Sequence, residues 1–286
     1  MKNRLISSAV GIVIALTVFW LHDTLVLPLI LAAVADIILF ELMRVVRGEQ
    51  FWLAKSAVFL YGTAEIFLCY LEATGLAEQV ALTDGARLLL LPVCLLMLFL
   101  EFLWHHGTFR LEQLCFMGAS MYLVPWSLEK LICLNYYDKN GLFYLILALC
   151  GAWIADSGAY FCGVAFGKRK LCPEISPKKT IEGFVGGLIS NALVFSLLFW
   201  GYAMIWNVSF HLLDAVKAAL LGLVCAPISV VGDLVFSVIK REKGIKDYGK
   251  IMPGHGGLTD RFDSVLFVVP AFYAFVQILP IFKEIM

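Results

Sequence analysis

The chain has 286 residues, of which 61% are hydrophobic and only 15% are charged, and its formal net charge is zero. Soluble domains carry about 25% charged residues, so this composition excludes an ordinary soluble globular protein. The mean hydropathy of +0.88 indicates an integral membrane protein. Eight cysteines are scattered without a C-x-x-C pair, which argues against a zinc site or a disulfide framework.

Nine apolar runs are long enough to cross a bilayer as helices, which takes about 20 residues each. They cover residues 5–21, 25–42, 52–71, 87–104, 113–134, 142–166, 181–206, 212–240 and 264–282. The first run is similar to a signal peptide, but no A-x-A-like cleavage site follows it, so we expect a retained span. The pattern predicts an all-α, polytopic membrane protein that forms a single membrane-embedded domain over residues 1–286.

Most of the 22 Lys and Arg residues fall in the segments on one side of these spans. Because basic loops stay on the cytoplasmic side, this distribution predicts an N-terminus inside and a C-terminus outside. The two loops richest in basic residues then face the cytoplasm. Orientation alone requires neither the glycines nor the acids that these loops also contain. We therefore expect residues 141–286 to carry the catalytic segments and residues 1–140 to act mainly as scaffold.

The sixth run contains an aspartate within an apolar stretch, Asp156 in WIADSGAYFCG. A charge at the centre of a membrane helix costs about 2.5–3.5 kcal/mol even on lenient scales, so such a residue usually marks a site. A structural hydrogen bond to a neighbouring helix is the alternative to a ligand in a polar cavity, and we favour the ligand. Acids in earlier spans are interpreted as structural: Asp36, Glu41, Glu65 and Glu101. We expect Glu41 to pair with Arg44 one turn later.

A second polar segment, LCPEISPKKTIEGFVGG, occupies residues 171–187. Pro173 and Pro177 prevent the sixth helix from continuing. Thr180 is predicted to cap the seventh helix, and Glu182 in its first turn suits the helix dipole.

Lys178 and Lys179 precede that helix N-terminus and form a candidate phosphate site. The alternative is that the two lysines only orient the protein in the membrane, as basic residues at cytoplasmic helix ends commonly do. The glycines at positions 183, 186 and 187 predict close helix packing.

The most charged segment of the chain runs from residue 233 to residue 263. If the eighth helix continues to about residue 241, one of its faces carries a carboxylate, a hydroxyl and two cations. These are Asp233, Ser237, Lys240 and Arg241. Asp260 and Asp263 lie three residues apart at the expected start of the ninth helix. Mg²⁺ takes one or two protein carboxylates together with substrate phosphates, which Asp233 with Asp260 or Asp263 would suit.

Between these acids, PGHGG at residues 253–257 allows a sharp turn that exposes backbone N–H groups to an anion. His255 has three interpretations: a general base, a phosphate donor or a hydrogen-bonding residue of the loop. The last two are favoured because phosphoryl transfer depends chiefly on positioning and charge neutralisation. The sequence lacks a G-x-x-x-x-G-K-[ST] motif, which excludes an ordinary P-loop NTPase.

This charged segment resembles the signature of phosphatidate cytidylyltransferases, the CDP-diacylglycerol synthases. The family pattern runs S-x-x-K-R, four residues, K-D, then H-G-G-x-x-D-R-x-D. It matches here at Ser237, Lys240, Arg241, Lys246, Asp247, His255, Gly256, Gly257, Asp260, Arg261 and Asp263. The stretches DSGAYFCGVAFGK and SPKKTIEG are similar to the family's other polar segments, so the resemblance covers essentially the whole chain. One departure is Met252, where the family more often has Leu, Ile or Phe.

The resemblance implies that CTP and phosphatidate react to CDP-diacylglycerol and pyrophosphate, with Mg²⁺ required. It assigns catalysis to Asp233, Lys240, Arg241, Asp260, Arg261 and Asp263, of which Asp233, Asp260 and Asp263 would also hold the metal. The expected substrate-binding residues are Asp156, Ser176, Lys178, Lys179, Ser237, Lys246, His255, Gly256 and Gly257. We expect Asp156, the Lys178–Lys179 turn and residues 233–263 to meet at one cavity. Whether a monovalent cation joins Mg²⁺, and whether the chain forms a homodimer, stays open.

Two other functions stay open. An ion-coupled transporter would use Asp156 and Asp233 as ion sites, but it leaves the cationic, glycine-bearing loops unexplained. A CTP-dependent enzyme acting on another lipid phosphate, or a lipid kinase, would differ in its products. We expect the partners to be CTP, phosphatidate and membrane lipid, without nucleic acid. The compact chain favours a bacterial inner membrane.

Overall fold

The computed structural model describes residues 11, 13, 15–76, 83–252 and 256–282, and these residues are mostly helical. In this part of the chain, seven helices are long and apolar enough to cross a membrane, by length and composition. The all-α, polytopic membrane architecture is therefore confirmed. The total of nine spans stays a prediction. The first apolar run lies largely outside the described residues, and the helix that corresponds to the fifth run, Leu111–Asn135, is not one of these seven helices.

The helices follow each other in the order α1 (Val26–Val45), α2 (Trp52–Ala73), α3 (Thr83–Trp104), α4 (Leu111–Asn135), α5 (Gly141–Phe166), α6 (Ile181–Trp206), α7 (Leu212–Glu242), α8 (Thr259–Phe262) and α9 (Val265–Ile278). Two short strands, β1 (Lys170–Cys172) and β2 (Ser176–Thr180), lie between α5 and α6. The chain divides into two compact units. The first comprises Met1–Phe143 with Ile245–Phe262, and the second comprises Tyr144–Gly244 with Asp263–Met286.

In the first unit, α2 packs against α1, α3 and α4. A charge network joins three of these helices, and we call it the Arg87 network: Glu65, Glu72, Arg87, Glu129 and Lys130. Glu65 and Glu129 are buried, Arg87 is partly buried, and Glu72 is exposed. Arg87 Nη2 lies 2.8 Å from a carboxylate oxygen of Glu65 on α2 and 2.7 Å from one of Glu129 on α4. Arg87 Nη1 pairs with Glu72, and Lys130 pairs with Glu129. These ion pairs hold α3 between two neighbours.

Two other intramembrane acids of the first unit also have structural partners, as expected. Glu101 on α3 accepts hydrogen bonds from the backbone N–H groups of Leu53 and Ala54 and so satisfies donors at the start of α2. Asp36 accepts a hydrogen bond of 3.0 Å from the Thr63 hydroxyl.

In the second unit, α7 packs against α6 and α9. The predicted glycine packing is confirmed where α5 crosses α6. A Cβ atom added at Gly187 would lie 2.9 Å from the backbone oxygen of Ala155, so only glycine permits this approach. Aromatic side chains fill the other end of the unit, where Tyr144 contacts Phe199 and Phe272.

The segment between α5 and α6 forms an antiparallel β-hairpin, which was not predicted from the sequence. Lys170 lies opposite Thr180, and Cys172 lies opposite Ser176. The predicted helix cap is confirmed, because Thr180 Oγ1 accepts a hydrogen bond of 3.1 Å from the Gly183 N–H. Glu182 accepts hydrogen bonds from the N–H groups of residues 168 and 169, and this carboxylate closes the base of the hairpin.

The ninth span begins close to its predicted start at residue 264, because α9 starts at Val265, and Thr259–Ile278 as a whole is one of the seven candidate spans. Asp260 and Asp263 precede α9 and do not lie in it. Asp260 belongs to the single turn α8, whereas Asp263 and Ser264 form a turn and α9 begins only at Val265. Asp263 Oδ1 accepts a hydrogen bond of 2.7 Å from the Ser264 N–H, a local bond that competes with a continuous helix. By contrast, α7 does extend to Glu242, which confirms the expected continuation past residue 241.

Candidate active site

Three aspartates of the second unit form what we call the acidic cluster: Asp156 on α5, Asp233 on α7 and Asp263 before α9. Asp263 is buried, and the carboxylates of Asp233 and Asp156 are close enough to repel its charge. Helix α7 lies close to the turn before α9 because residue 232 is glycine. A Cβ atom at Gly232 would lie 2.9 Å from the backbone oxygen of Asp263. The fold therefore concentrates negative charge at one place among apolar helices.

Two serines orient Asp156. The fully buried Ser229 hydroxyl lies 3.5 Å from Asp156 Oδ1, and the Ser264 side chain also hydrogen-bonds to this carboxylate. Neither serine was predicted from the sequence. A signal for Ser229 was present, because it lies one helical turn before Asp233 and therefore on the same face of α7. Ser264 had no such signal, because the predicted helix included its position.

Two lysines bring positive charge to the acidic cluster. Lys179 Nζ on β2 lies 2.6 Å from Asp233 Oδ2, and both side chains are about a quarter exposed, at 23% and 26%. Lys240 on α7 attracts the Asp263 carboxylate electrostatically. Asp156, Lys179, Asp233 and Asp263 therefore lie close together in the second unit. The meeting of the whole Lys178–Lys179 turn and residues 233–263 with Asp156 at one cavity stays a prediction.

The other predicted residues of the second unit are more peripheral. Lys178 is exposed, because successive side chains of a strand point to opposite faces. Arg241 is also exposed, while Ser176 and Ser237 are partly buried.

Residues 245–260, which we call the charged loop, belong to the first unit. Asp260 Oδ2 accepts hydrogen bonds from the N–H groups of Tyr248 (2.9 Å) and Gly257 (3.0 Å). Gly256 has a φ of 87°, which favours glycine, and its carbonyl oxygen accepts a hydrogen bond from the Met252 N–H. One oxygen of Asp260 therefore already holds its own loop together. Lys246 and Arg261 are exposed, and His255 lies outside the described residues.

Glu41 contacts the end of the charged loop, and its expected pairing with Arg44 is wrong. Its carboxylate accepts hydrogen bonds from the Leu258 N–H, the Thr259 N–H and the Thr259 hydroxyl at 3.0, 2.8 and 2.7 Å. The Arg44 guanidinium instead lies over the Phe40 ring, 5.8 Å from its centroid. Backbone N–H groups reach the buried Glu41 from the loop, whereas Arg44 turns to the exposed side of α1.

The acidic cluster suits a Mg²⁺ ion that is shared with a phosphate, rather than one held by protein alone. Among the described residues, no three His, Cys, Asp or Glu side chains are arranged to hold a metal ion. Mg²⁺ normally takes one or two carboxylates and completes its shell with water and substrate phosphate. The three carboxylates face two ammonium groups, so a cation that arrives with a nucleotide would offset the remaining repulsion. Joint use of Asp260 with Asp233 or Asp263 stays a prediction.

The fold and these residues define a class of protein: a polytopic membrane protein whose helices present carboxylates and cations suited to phosphate chemistry. The family model described as "Cytidylyltransferase family" matches residues 2–279, and the chain belongs to this family. The resemblance recognised in the sequence is therefore confirmed, and the protein is a nucleotidyltransferase.

Bacterial relatives are similar along nearly the whole chain. The chain is 34% identical over 286 residues to the phosphatidate cytidylyltransferase of Bacillus subtilis (strain 168), with 96% of each chain covered. It is 34% identical over 289 residues to the phosphatidate cytidylyltransferase of Haemophilus influenzae, with 96% of this chain and 98% of the relative covered. The enzyme of the same name from Staphylococcus aureus (strain COL) is 42% identical over 163 residues, which cover 56% of this chain and 59% of the relative.

Proposed function

We propose that this protein transfers the cytidylyl group of CTP to phosphatidate, which forms CDP-diacylglycerol and releases pyrophosphate. The observation that carries the proposal is the full-length similarity to two relatives named phosphatidate cytidylyltransferase. In this reaction a phosphate oxygen of phosphatidate forms a bond to the α-phosphorus of CTP, and the bond between that phosphorus and pyrophosphate breaks. No atom other than those of the two substrates is transferred.

The main barrier to this reaction is repulsion between two anions. The lipid phosphate is already a nucleophile at neutral pH, so an activated serine or cysteine is not required. Lys179 and Lys240, which lie at the acidic cluster, would hold phosphate oxygens and stabilise the charge that develops on the leaving pyrophosphate. Asp233 and Asp263 would hold Mg²⁺, which offsets phosphate charge when it is bound. Asp156 would line the site, oriented by its serine hydrogen bonds.

The ion pair between Lys179 and Asp233 supports a specific order of events. Before substrate binds, each side chain partly neutralises the other. A nucleotide phosphate competes for the Lys179 ammonium group, and the Asp233 carboxylate then becomes available to the cation that accompanies the nucleotide. Binding of phosphate and of metal would therefore be mutually supporting.

The remaining predicted site residues lie in the charged loop, directly after it, at the end of α7 and on β2. We propose that Asp260 acts on the metal and Arg261 and Arg241 on phosphate charge, while Lys246, His255, Gly256 and Gly257 contribute to substrate binding, as do Ser176 and Ser237. The exposed Lys178 contributes through long-range attraction of the anionic substrates. The basic loops support a site on the cytoplasmic side. The bacterial relatives support a bacterial inner membrane, and a homodimer is compatible with the proposal.

Two preparations of CTP, each labelled at a different phosphorus atom, separate the candidate functions. Purified protein is incubated with phosphatidate vesicles, Mg²⁺ and CTP labelled at either the α- or the γ-phosphorus. The proposal requires α-label in the lipid fraction and γ-label in pyrophosphate. A lipid kinase would place γ-label in the lipid and release CDP, and a transporter would release no pyrophosphate. Substituting other lipid phosphates for phosphatidate identifies the acceptor.

Asp260→Asn tests whether Asp260 has a role beyond holding its loop. The asparagine side-chain oxygen can still accept the hydrogen bonds from Tyr248 and Gly257, but it loses the negative charge. We expect turnover to fall about 100-fold or more, as for other groups that stabilise transition-state charge, with unchanged thermal stability. Near-normal turnover would restrict Asp260 to a structural role.

A further inference from the structure

Glu41 lies on α1, 217 residues before Leu258 in the chain, yet its carboxylate is almost completely enclosed by the charged loop, with 1% of the residue exposed. Both carboxylate oxygens accept hydrogen bonds from this loop: Oε1 from the Leu258 N–H, and Oε2 from the Thr259 N–H and hydroxyl. A carboxylate buried in a membrane protein is costly unless such donors surround it. The three hydrogen bonds therefore fix the backbone of the two residues that precede Asp260.

Two glycines of the charged loop are shaped around the same carboxylate. A Cβ atom at Gly257 would lie 2.6 and 2.7 Å from the two carboxylate oxygens of Glu41. A Cβ atom at Gly249 would overlap Glu41 Oε1 and would lie 2.7 Å from Cδ, and the nearest heavy atoms to it all belong to Glu41. The loop thus closes around Glu41 from both ends. Gly257 also donates its N–H to Asp260, so the environment of Glu41 and that of Asp260 share a residue.

We propose that Glu41 is a positioning residue, which sets the conformation of the charged loop and thereby the placement of Asp260 and Arg261. The role of those two residues in catalysis rests on the proposed function. Glu41 itself would touch neither substrate nor metal, because its oxygens are occupied by the loop. This assigns a function to a span that the sequence places in the scaffold half of the chain.

Glu41→Gln is the first test, and Glu101→Gln is its matched control. Gln preserves the size of the side chain but presents an amide donor to an N–H group of the loop. Glu101 is an equally buried glutamate of the same unit that also accepts two backbone N–H hydrogen bonds, but its partners are Leu53 and Ala54 at the start of α2. The two N–H groups at Glu101 share Oε2, and Oε1 pairs with His105, so Glu101→Gln loses the charge that faces His105 and can keep both backbone hydrogen bonds. Glu41→Gln must lose a hydrogen bond to the charged loop, because both of its oxygens accept from that loop. Each variant removes one buried negative charge of the first unit, and only Glu41→Gln affects the charged loop.

Two readouts separate positioning from general stability. We expect Glu41→Gln to lower kcat/KM for CTP about 10-fold, which is typical of residues that orient the groups in contact with a ligand. Glu101→Gln should leave kcat/KM unchanged. We also expect trypsin to cleave after the exposed Lys246 and Lys250 faster in folded Glu41→Gln than in wild-type protein, with Glu101→Gln again unchanged. Wild-type kinetics and wild-type cleavage in Glu41→Gln, or equal changes in both variants, would overturn the proposal.

A double-mutant cycle provides a second test that does not depend on Glu41→Gln folding well. In the wild-type background, Gly249→Ala should raise the rate of trypsin cleavage in the loop, because the new methyl group would clash with the Glu41 carboxylate. In a Glu41→Ala background the same methyl group has space, so Gly249→Ala should have no additional effect. Equal effects of Gly249→Ala in both backgrounds would contradict the proposal. Proteolysis can be measured without enzyme activity. If the wild-type protein makes no CDP-diacylglycerol, only the proposed function is refuted, and the proteolysis result still tests whether Glu41 sets the loop conformation.

Discussion

Two clusters of charge lie among the helices, one in each unit, and they are compensated in different ways. In the Arg87 network every glutamate contacts a cation: Arg87 pairs with Glu65, Glu72 and Glu129, and Lys130 adds a second cation to Glu129. In the acidic cluster Asp233 pairs with Lys179, whereas neutral serine groups hydrogen-bond to Asp156 and Asp263. The first arrangement cancels charge, and the second mainly orients it.

This difference separates a structural cluster from a candidate site. A buried ion pair offsets its desolvation only when geometry and hydrogen bonds satisfy both partners, and the Arg87 network meets that condition with three helices. Hydroxyl and amide donors hold a carboxylate in place without neutralising it, so its charge stays available to a cation. We therefore expect substitutions in the Arg87 network to change stability, and substitutions in the acidic cluster to change turnover.

The largest effect is expected for Asp233→Asn. The amide keeps the shape of the side chain but removes the charge that pairs with Lys179 and would hold Mg²⁺. We expect kcat to fall about 1,000-fold, the upper range for one group that stabilises transition-state charge, with unchanged thermal unfolding. The formation of CDP-diacylglycerol by purified protein measures this effect.

Asp36→Asn is the control for that experiment. Asp36 is a partly buried aspartate that accepts a hydroxyl hydrogen bond on α1, outside both the acidic cluster and the charged loop. We expect its turnover to equal that of the wild type. Near-normal turnover of Asp233→Asn would contradict the proposal that Asp233 holds Mg²⁺. It would also contradict the distinction between a structural Arg87 network and a catalytic acidic cluster.

The reverse result is expected for Arg87→Met. Loss of the guanidinium leaves Glu65 and Glu129 with less compensation inside the first unit, which should lower the free energy of unfolding by about 3 kcal/mol. Turnover per folded molecule should not change. Thermal unfolding in detergent and kinetics at low temperature measure the two quantities, and Arg44→Met, which removes an exposed arginine, is the control. A drop in turnover without loss of stability would show that the Arg87 network belongs to the site.

Local rules predicted the parts of the fold that depend on neighbouring residues. The face of α7, the Thr180 cap and the glycine packing of α6 all follow from spacing within a few residues. The sequence also marked Asp156 and Asp233, because an acid in an apolar run stands out. Glu41 was misassigned for the opposite reason. Its nearest oppositely charged neighbour in sequence is Arg44, whereas its partners lie more than 200 residues away and are backbone N–H groups, which have no sequence signature.

The smallest effect concerns the neighbouring lysines of β2, which the sequence could not tell apart. Lys179 pairs with Asp233, while Lys178 on the opposite face is exposed. A hydrogen bond to a charged group contributes about 1.5–3 kcal/mol, so Lys179→Gln should lower kcat/KM by roughly 10- to 100-fold. Lys178→Gln, its matched control, should stay near wild type, because an exposed lysine contributes mainly long-range attraction that salt screens. Raising the salt concentration should therefore abolish any defect of Lys178→Gln and leave that of Lys179→Gln. Equal defects in both variants at high salt would mean that both lysines hold substrate phosphate, and that the pairing with Asp233 does not distinguish them.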